Sequence, residues 1–145
     1  MAIRIGGETP IVKYGLTISA ECPAATSSTV PVLEGQLFKL DGTLAADGSG
    51  VKLVAATAGD KPSTVILAYA LDRSEDPLGV IGVMILTGQA TQIRRLKYTG
   101  GAPTVGHSVA ISASDVRAVV DLAFARGDGL ILSVDTAATE VEVLI

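Results

Sequence analysis

The stretch that most constrains this chain is residues 64–98, where two short apolar runs, Thr64–Leu71 and Gly79–Leu86, flank the polar loop Asp72-Arg-Ser-Glu-Asp-Pro77. Each run has the length of a strand and is rich in β-branched residues. Neither alternates cleanly with polar residues. That pattern suits strands buried on both faces, as in a barrel or at a subunit interface. A Thr87-Gly88-Gln89 turn then leads into Ala90–Tyr98. This segment carries Arg94, Arg95 and Lys97, so it must meet water or a partner.

The remaining segments read the same way. Ile11–Ala20 alternates, with Val12, Tyr14, Leu16 and Ile18 on one face and Lys13, Thr17 and Ser19 on the other. That is a half-buried strand. It lies between a Gly6-Gly7 break and the small, polar run Cys22–Thr29. Residues 1–29 therefore read as an N-terminal arm with one strand, able to join its own sheet or a neighbour's. Ile3, Ile5, Val12, Tyr14, Leu16 and Ile18 are its candidate contacts with another subunit or a larger surface.

Residues 30–145 form a β-rich body. Strands are expected over Val30–Leu40, Val51–Ala58, the central pair, Val105–Ile111, Leu130–Val134 and Thr139–Ile145. Asp41-Gly42 and Asp47-Gly48 are turn dipeptides without the ligand spacing of a calcium loop. Val116–Ala125 is ambiguous. Its spacing fits a helical face, with Ser112 and Asp115 as a capping box, whereas its valines favour strand.

A weak internal repeat bears on that ambiguity. Gly35–Leu40, Val51–Ala56, Gly59-Asp60 and Val80–Leu86 correspond in order and chemistry to Gly106–Ile111, Val116–Asp121, Gly127-Asp128 and Val141–Ile145. Residues 30–99 and 100–145 then read as similar halves, and 116–123 as a strand. The expected fold is all-β, a small barrel or sandwich of short strands.

Composition narrows the function classes. The chain has 145 residues, is 48% hydrophobic and only 18% charged. Its mean hydropathy is +0.50. A single small unit has limited interior, so this much apolar material predicts buried interfaces. Aromatics are few and the net charge is −4. Both oppose nucleic-acid binding. No apolar run approaches the roughly 20 residues of a membrane helix. The start lacks a signal peptide's apolar core, which reads as a protein made in a cytoplasm. Asn is absent and Gln, Met and Cys are rare. This fits either a hot environment or a GC-rich genome.

Catalytic chemistry is thinly represented. His107 is the sole histidine and Cys22 the sole cysteine, too few to complete a zinc site. No serine stands in a nucleophile-elbow pattern. The carboxylates Glu75, Asp76, Asp115, Asp121, Asp128 and Asp135 are scattered over loops and strand ends. Thr99–Thr104 does not match a phosphate loop. Arg126-Gly127-Asp128 spells an adhesion tripeptide, but the recurrence of Gly-Asp at 59–60 favours a structural turn. The chain reads as a non-enzyme without catalytic, cofactor or metal residues.

The pattern as a whole resembles the capsid decoration, or cement, proteins of tailed bacteriophages. The likeness rests on Glu34–Asp41, Thr64–Leu71, Gly79–Gln89 and Arg126–Val134 followed by Val141–Ile145. The resemblance implies a virion protein that binds the major capsid protein on the shell's exterior, at three-fold or quasi-three-fold positions. It implies a homotrimer that stiffens the capsid against internal DNA pressure. It also implies an N-terminal segment reaching a neighbouring subunit or the shell. Two rivals stand beside it: another virion β-protein such as a tail-tube, spike or fibre-base module, and a cellular β-barrel binding module or small enzyme.

Overall fold

The structure, a computed structural model, describes residues 16–44, 51–88, 92–115 and 117–145. These residues are all-β. Strands β1 (Thr17–Glu21), β2 (Leu37–Leu44), β3 (Val51–Ala55), β4 (Leu67–Ala70) and β5 (Val80–Leu86) form a closed barrel in the order β1-β3-β2-β4-β5. Strands β6 (Ile93–Tyr98), β7 (Ser108–Ile111), β8 (Ala118–Leu122), β9 (Leu130–Asp135) and β10 (Glu140–Leu144) form a second sheet in the order β7-β8-β6-β10-β9.

The two sheets repeat one plan. In the first, β1 runs parallel to β3 and antiparallel to β5. In the second, β6 runs parallel to β8 and antiparallel to β10. The pairs β2–β3 and β4–β5 recur as β7–β8 and β9–β10. The β2–β4 contact recurs beside β7. There the Gly106 N–H donates to the Ile131 carbonyl at 2.9 Å and the Ile131 N–H to the His107 carbonyl at 2.8 Å. The second sheet is thereby drawn round toward a barrel of its own.

The halves divide between Leu86 and Ile93, not after Thr99. Each opens with the strand that lies parallel to its third, β1 in one case and β6 in the other. This pairing joins residues far apart in sequence, so local patterning does not reveal it. The strand expected within an N-terminal arm thus closes the barrel of its own chain. Residues 1–15, the rest of that expected arm, lie outside the described residues.

The central pair lacks alternation because it is buried on both sides. Ala68, Ala70, Val83 and Ile85 fill the first barrel with Phe38, Leu53 and Ala20. Leu37, Leu67 and Leu86 face the other way and join a core with Leu96, Tyr98, Val141, Val143 and Ile145 of the second sheet. Each fully buried aliphatic side chain contributes about 1.5–3 kcal/mol. The apolar excess of the sequence is therefore spent in part on a junction inside one chain. Gln92 secures the crossover: its side chain is fully buried and donates to the Ile85 carbonyl at 2.8 Å. Its backbone pairs with Ile145 in both directions.

Several strands are shorter than expected. Val30–Gln36 is loop up to a Gly35 turn at φ 81°, and only Val32 makes a bridge, to Ser74. Residues 61–65 form a turn closed on the Lys61 carbonyl, so β4 begins at Leu67. The ambiguous segment is a strand, β8. The Ser112 hydroxyl accepts from the Ser114 and Asp115 N–H groups, capping a turn and not a helix.

Candidate functional site

The polar groups singled out in the sequence are used mainly as internal links. His107 Nδ1 lies 2.6 Å from Asp121 Oδ1, while Asp121 Oδ2 accepts from the Thr104 N–H at 2.9 Å. An acid that orients the imidazole is thus present. Cross-strand pairing of Val109 with Asp121 supplies it, which sequence spacing hides. The neighbouring hydroxyl, on Ser108, is committed elsewhere: it donates to the Ala125 and Gly129 carbonyls and accepts from the Ala125 N–H. The pair therefore ties the loop before β7 to β8.

Asp128 ends the adhesion-like tripeptide, yet its carboxylate points inward. It accepts from the Ser63 N–H at 2.9 Å and lies 3.5 Å from Lys61 Nζ. A receptor that reads the tripeptide needs that carboxylate in solvent, so Arg126-Gly127-Asp128 acts as a turn. The matching Gly59-Asp60 turn has the same backbone sign, φ 83° against 89°. Burial pushes the Asp60 carboxyl up, but the Thr57 N–H, the Thr57 hydroxyl and Lys39 outweigh it and hold the carboxyl below its ordinary range.

Two members of the basic cluster of β6 are also partnered. Arg95 lies near Glu140 and Glu142 of β10. The Arg94 guanidinium sits 4.1 Å from the centre of the Tyr69 ring, a cation–π contact between the two halves. Cys22 is buried, and burial raises its thiol above the usual range.

Two open clefts flank the junction. The larger, about 640 Å³, has Arg126 as the one charged residue among its described lining, beside exposed Phe124. The smaller, about 210 Å³, mixes Arg95, Lys97 and Arg117 with Glu34 and Glu140, so its charges largely cancel. Among the described residues, no three His, Cys, Asp or Glu side chains come together in a way that would hold a metal ion.

Of the six candidate contact residues, Ile3, Ile5, Val12 and Tyr14 lie outside the described residues. Ile18 points into its own barrel and packs on the core there. Leu16 is exposed just before β1. The structure does not bring these two into one surface.

A different surface stands out at the other end of the first barrel. The β4–β5 connection spans residues 71–79, whereas the equivalent β9–β10 connection needs only 136–139. The longer loop ends in Asp76-Pro77-Leu78-Gly79, closed by the Gly79 N–H on the Asp76 carbonyl at 3.2 Å. Leu78 occupies the third position of this turn at φ 57°, a place normally taken by Gly or Asn. A side chain there costs about 1–2 kcal/mol. Leu78 is nonetheless 47% exposed, and nearby Val80 is 61% exposed. Sequence reading passed over this feature. Its one visible signal was a large apolar residue between Pro and Gly inside an acidic loop.

Compared with known proteins, the chain matches no family model, no curated protein and no solved structure.

Proposed function

We propose that this protein is a structural virion component, a decoration protein that binds the outside of a phage capsid as a homotrimer and stabilises the shell. The observation that carries this reading is the division of labour among its side chains. Charged groups such as Lys61, Asp128, Arg94 and Arg95 brace one half against the other or one strand against the next. Large apolar side chains, among them Leu16, Ile66, Leu78 and Val80, are left on the surface. A scaffold whose charged side chains are committed to internal links suits docking more than chemistry.

The repeated barrel serves the same end. Two like units fused through a continuous core make a stiff body, and a stiff body loses little entropy when it spans several capsid subunits. Modest contacts repeated over a trimer then add through multivalency. The capsid partner and the trimer come from the pattern-level resemblance to cement proteins.

The test is particle stability. Capsids of the source phage assembled without the protein should rupture at a lower temperature than complete particles. Adding the purified chain should restore the difference. Unchanged rupture temperatures with and without saturating protein would refute a stabilising role.

A further inference from the structure

We propose that the long-hairpin end of the first barrel, built on Leu78 and Val80, is the face that meets the capsid. This rests on the capsid-binding reading above and names the surface that would carry it.

The chain supplies its own control. Both halves follow one strand plan, so what one half has and the other lacks is not demanded by the fold. The connection 136–139 shows that four residues suffice to join the last two strands of such a unit. The extra residues of 71–79 therefore need another reason. They are also not slack. The Val32 N–H donates to the Ser74 carbonyl at 2.9 Å and the Ser74 N–H returns a bond to the Val32 carbonyl at 3.1 Å. The Ser74 hydroxyl accepts from the Asp76 N–H, the Gly79 carbonyl accepts from the Cys22 N–H at 2.7 Å, and Asp72 accepts from the Gly82 N–H.

This bracing holds Leu78 in a left-handed backbone state and still leaves its side chain in water. Thr139, just before β10, is left-handed as well, at φ 59°, so the strain alone does not set this hairpin apart; its extra length and its apolar tip do. Val80, two residues after Leu78, is exposed as well. An apolar tip held rigid in advance avoids the ordering cost that a flexible loop would meet on binding.

The loop also states the chemistry of its partner. Asp72, Glu75 and Asp76 stand against Arg73 alone, a net −2, which is half of the chain's net −4. The complementary surface is an apolar pocket with a basic rim on the capsid protein. Charge matching of this kind speeds encounter and fixes register, and it weakens with salt.

The experiment is co-sedimentation of the purified full-length chain with source-phage capsids assembled without it. Wild-type protein, Leu78→Asp and Leu78→Gly are compared, with melting temperature and oligomeric state recorded for each. Leu78→Asp should weaken binding by more than about tenfold, with oligomeric state unchanged. Leu78→Gly should also lose binding while melting at or above the wild-type temperature, because glycine relieves the backbone strain and removes the tip. That combination separates a lost contact from a lost fold. Wild-type binding by both variants would overturn this assignment and leave capsid binding standing. A change of oligomeric state accompanying the loss would overturn it in favour of a self-contact. Failure of the wild-type chain to bind would remove the capsid reading itself.

Discussion

Lys61 and Asp128 join the two halves of the chain across their junction, with Nζ 3.5 Å from the carboxylate. The Asp128 side chain is 1% exposed and the Lys61 side chain 30%. The carboxylate also holds the Ser63 N–H. A turn of the second half is thus anchored to the turn that follows Gly59-Asp60 in the first, and the repeat is locked to itself at corresponding places.

Asp128→Ala leaves the Ser63 N–H and the Lys61 ammonium without their shared acceptor. The expected loss is about 2–3 kcal/mol, below the full value for a buried pair because Lys61 reaches solvent. Lys61→Ala strands the buried carboxylate and is destabilising too. The double variant should lose less than the two singles added together, since it strands neither charge. Denaturant unfolding of the four proteins measures this, and strict additivity would show that the pair does not couple the halves.

Gly88 marks how closely the halves approach. A Cβ there would run into the Gly127 carbonyl and come within 2.6 Å of Pro62 Cβ. The backbone is also left-handed, at φ 68°. Gly88→Ala should cost at least about 2 kcal/mol, because backbone must move away from backbone. Gly100→Ala is the control. It has the same sign of φ but open space around it, so only about 1 kcal/mol of strain is expected. Equal melting temperatures for the two variants would contradict this close approach.

Much of this architecture was legible in the sequence. The clean alternation of Val141 and Val143 with Glu140 and Glu142 marked β10, and both Gly-Asp turns stood out by their recurrence. The unalternating central pair signalled two-sided burial, correctly, though its second face meets the same chain. The parallel pairings were hidden, because β1–β3 and β6–β8 are long-range contacts. Arg94, Arg95 and Lys97 marked β6 as a strand that meets water or a partner, and it does both: Arg95 and Lys97 are exposed, while Arg94 is stacked on Tyr69, a contact that spacing does not reveal. The surface at Leu78 was the least legible. Exposure of one leucine and the sign of one φ angle are properties of the folded chain and leave almost no mark on composition or periodicity.

Asp60 supplies a dependence on pH. Its carboxyl is held below the value it has in the unfolded chain, so the folded state favours the ionised form. The resulting stability is fully present above the unfolded value, about pH 4, and is lost as pH falls through the lower folded value. Asp60→Asn should therefore flatten the acid limb of a plot of melting temperature against pH while leaving its shape near neutrality. An acid limb identical to wild type would show that the Thr57 and Lys39 contacts do not matter for stability.

Cys22 reports on opening of the first barrel. Its side chain packs in that core, and burial disfavours the thiolate that reacts. Labelling by a thiol reagent in native buffer should be slow and should accelerate with added denaturant in step with unfolding. Rapid labelling in native buffer would mean that the barrel opens there without global unfolding.

The central claim is that this chain coats a capsid, and its copy number per particle tests that most directly. Quantitative mass spectrometry of purified virions from the source should find it in fixed stoichiometric ratio to the major capsid protein, at hundreds of copies on a shell of ordinary size. A handful of copies would place it in a tail or portal instead, and its absence from particles would contradict the account altogether.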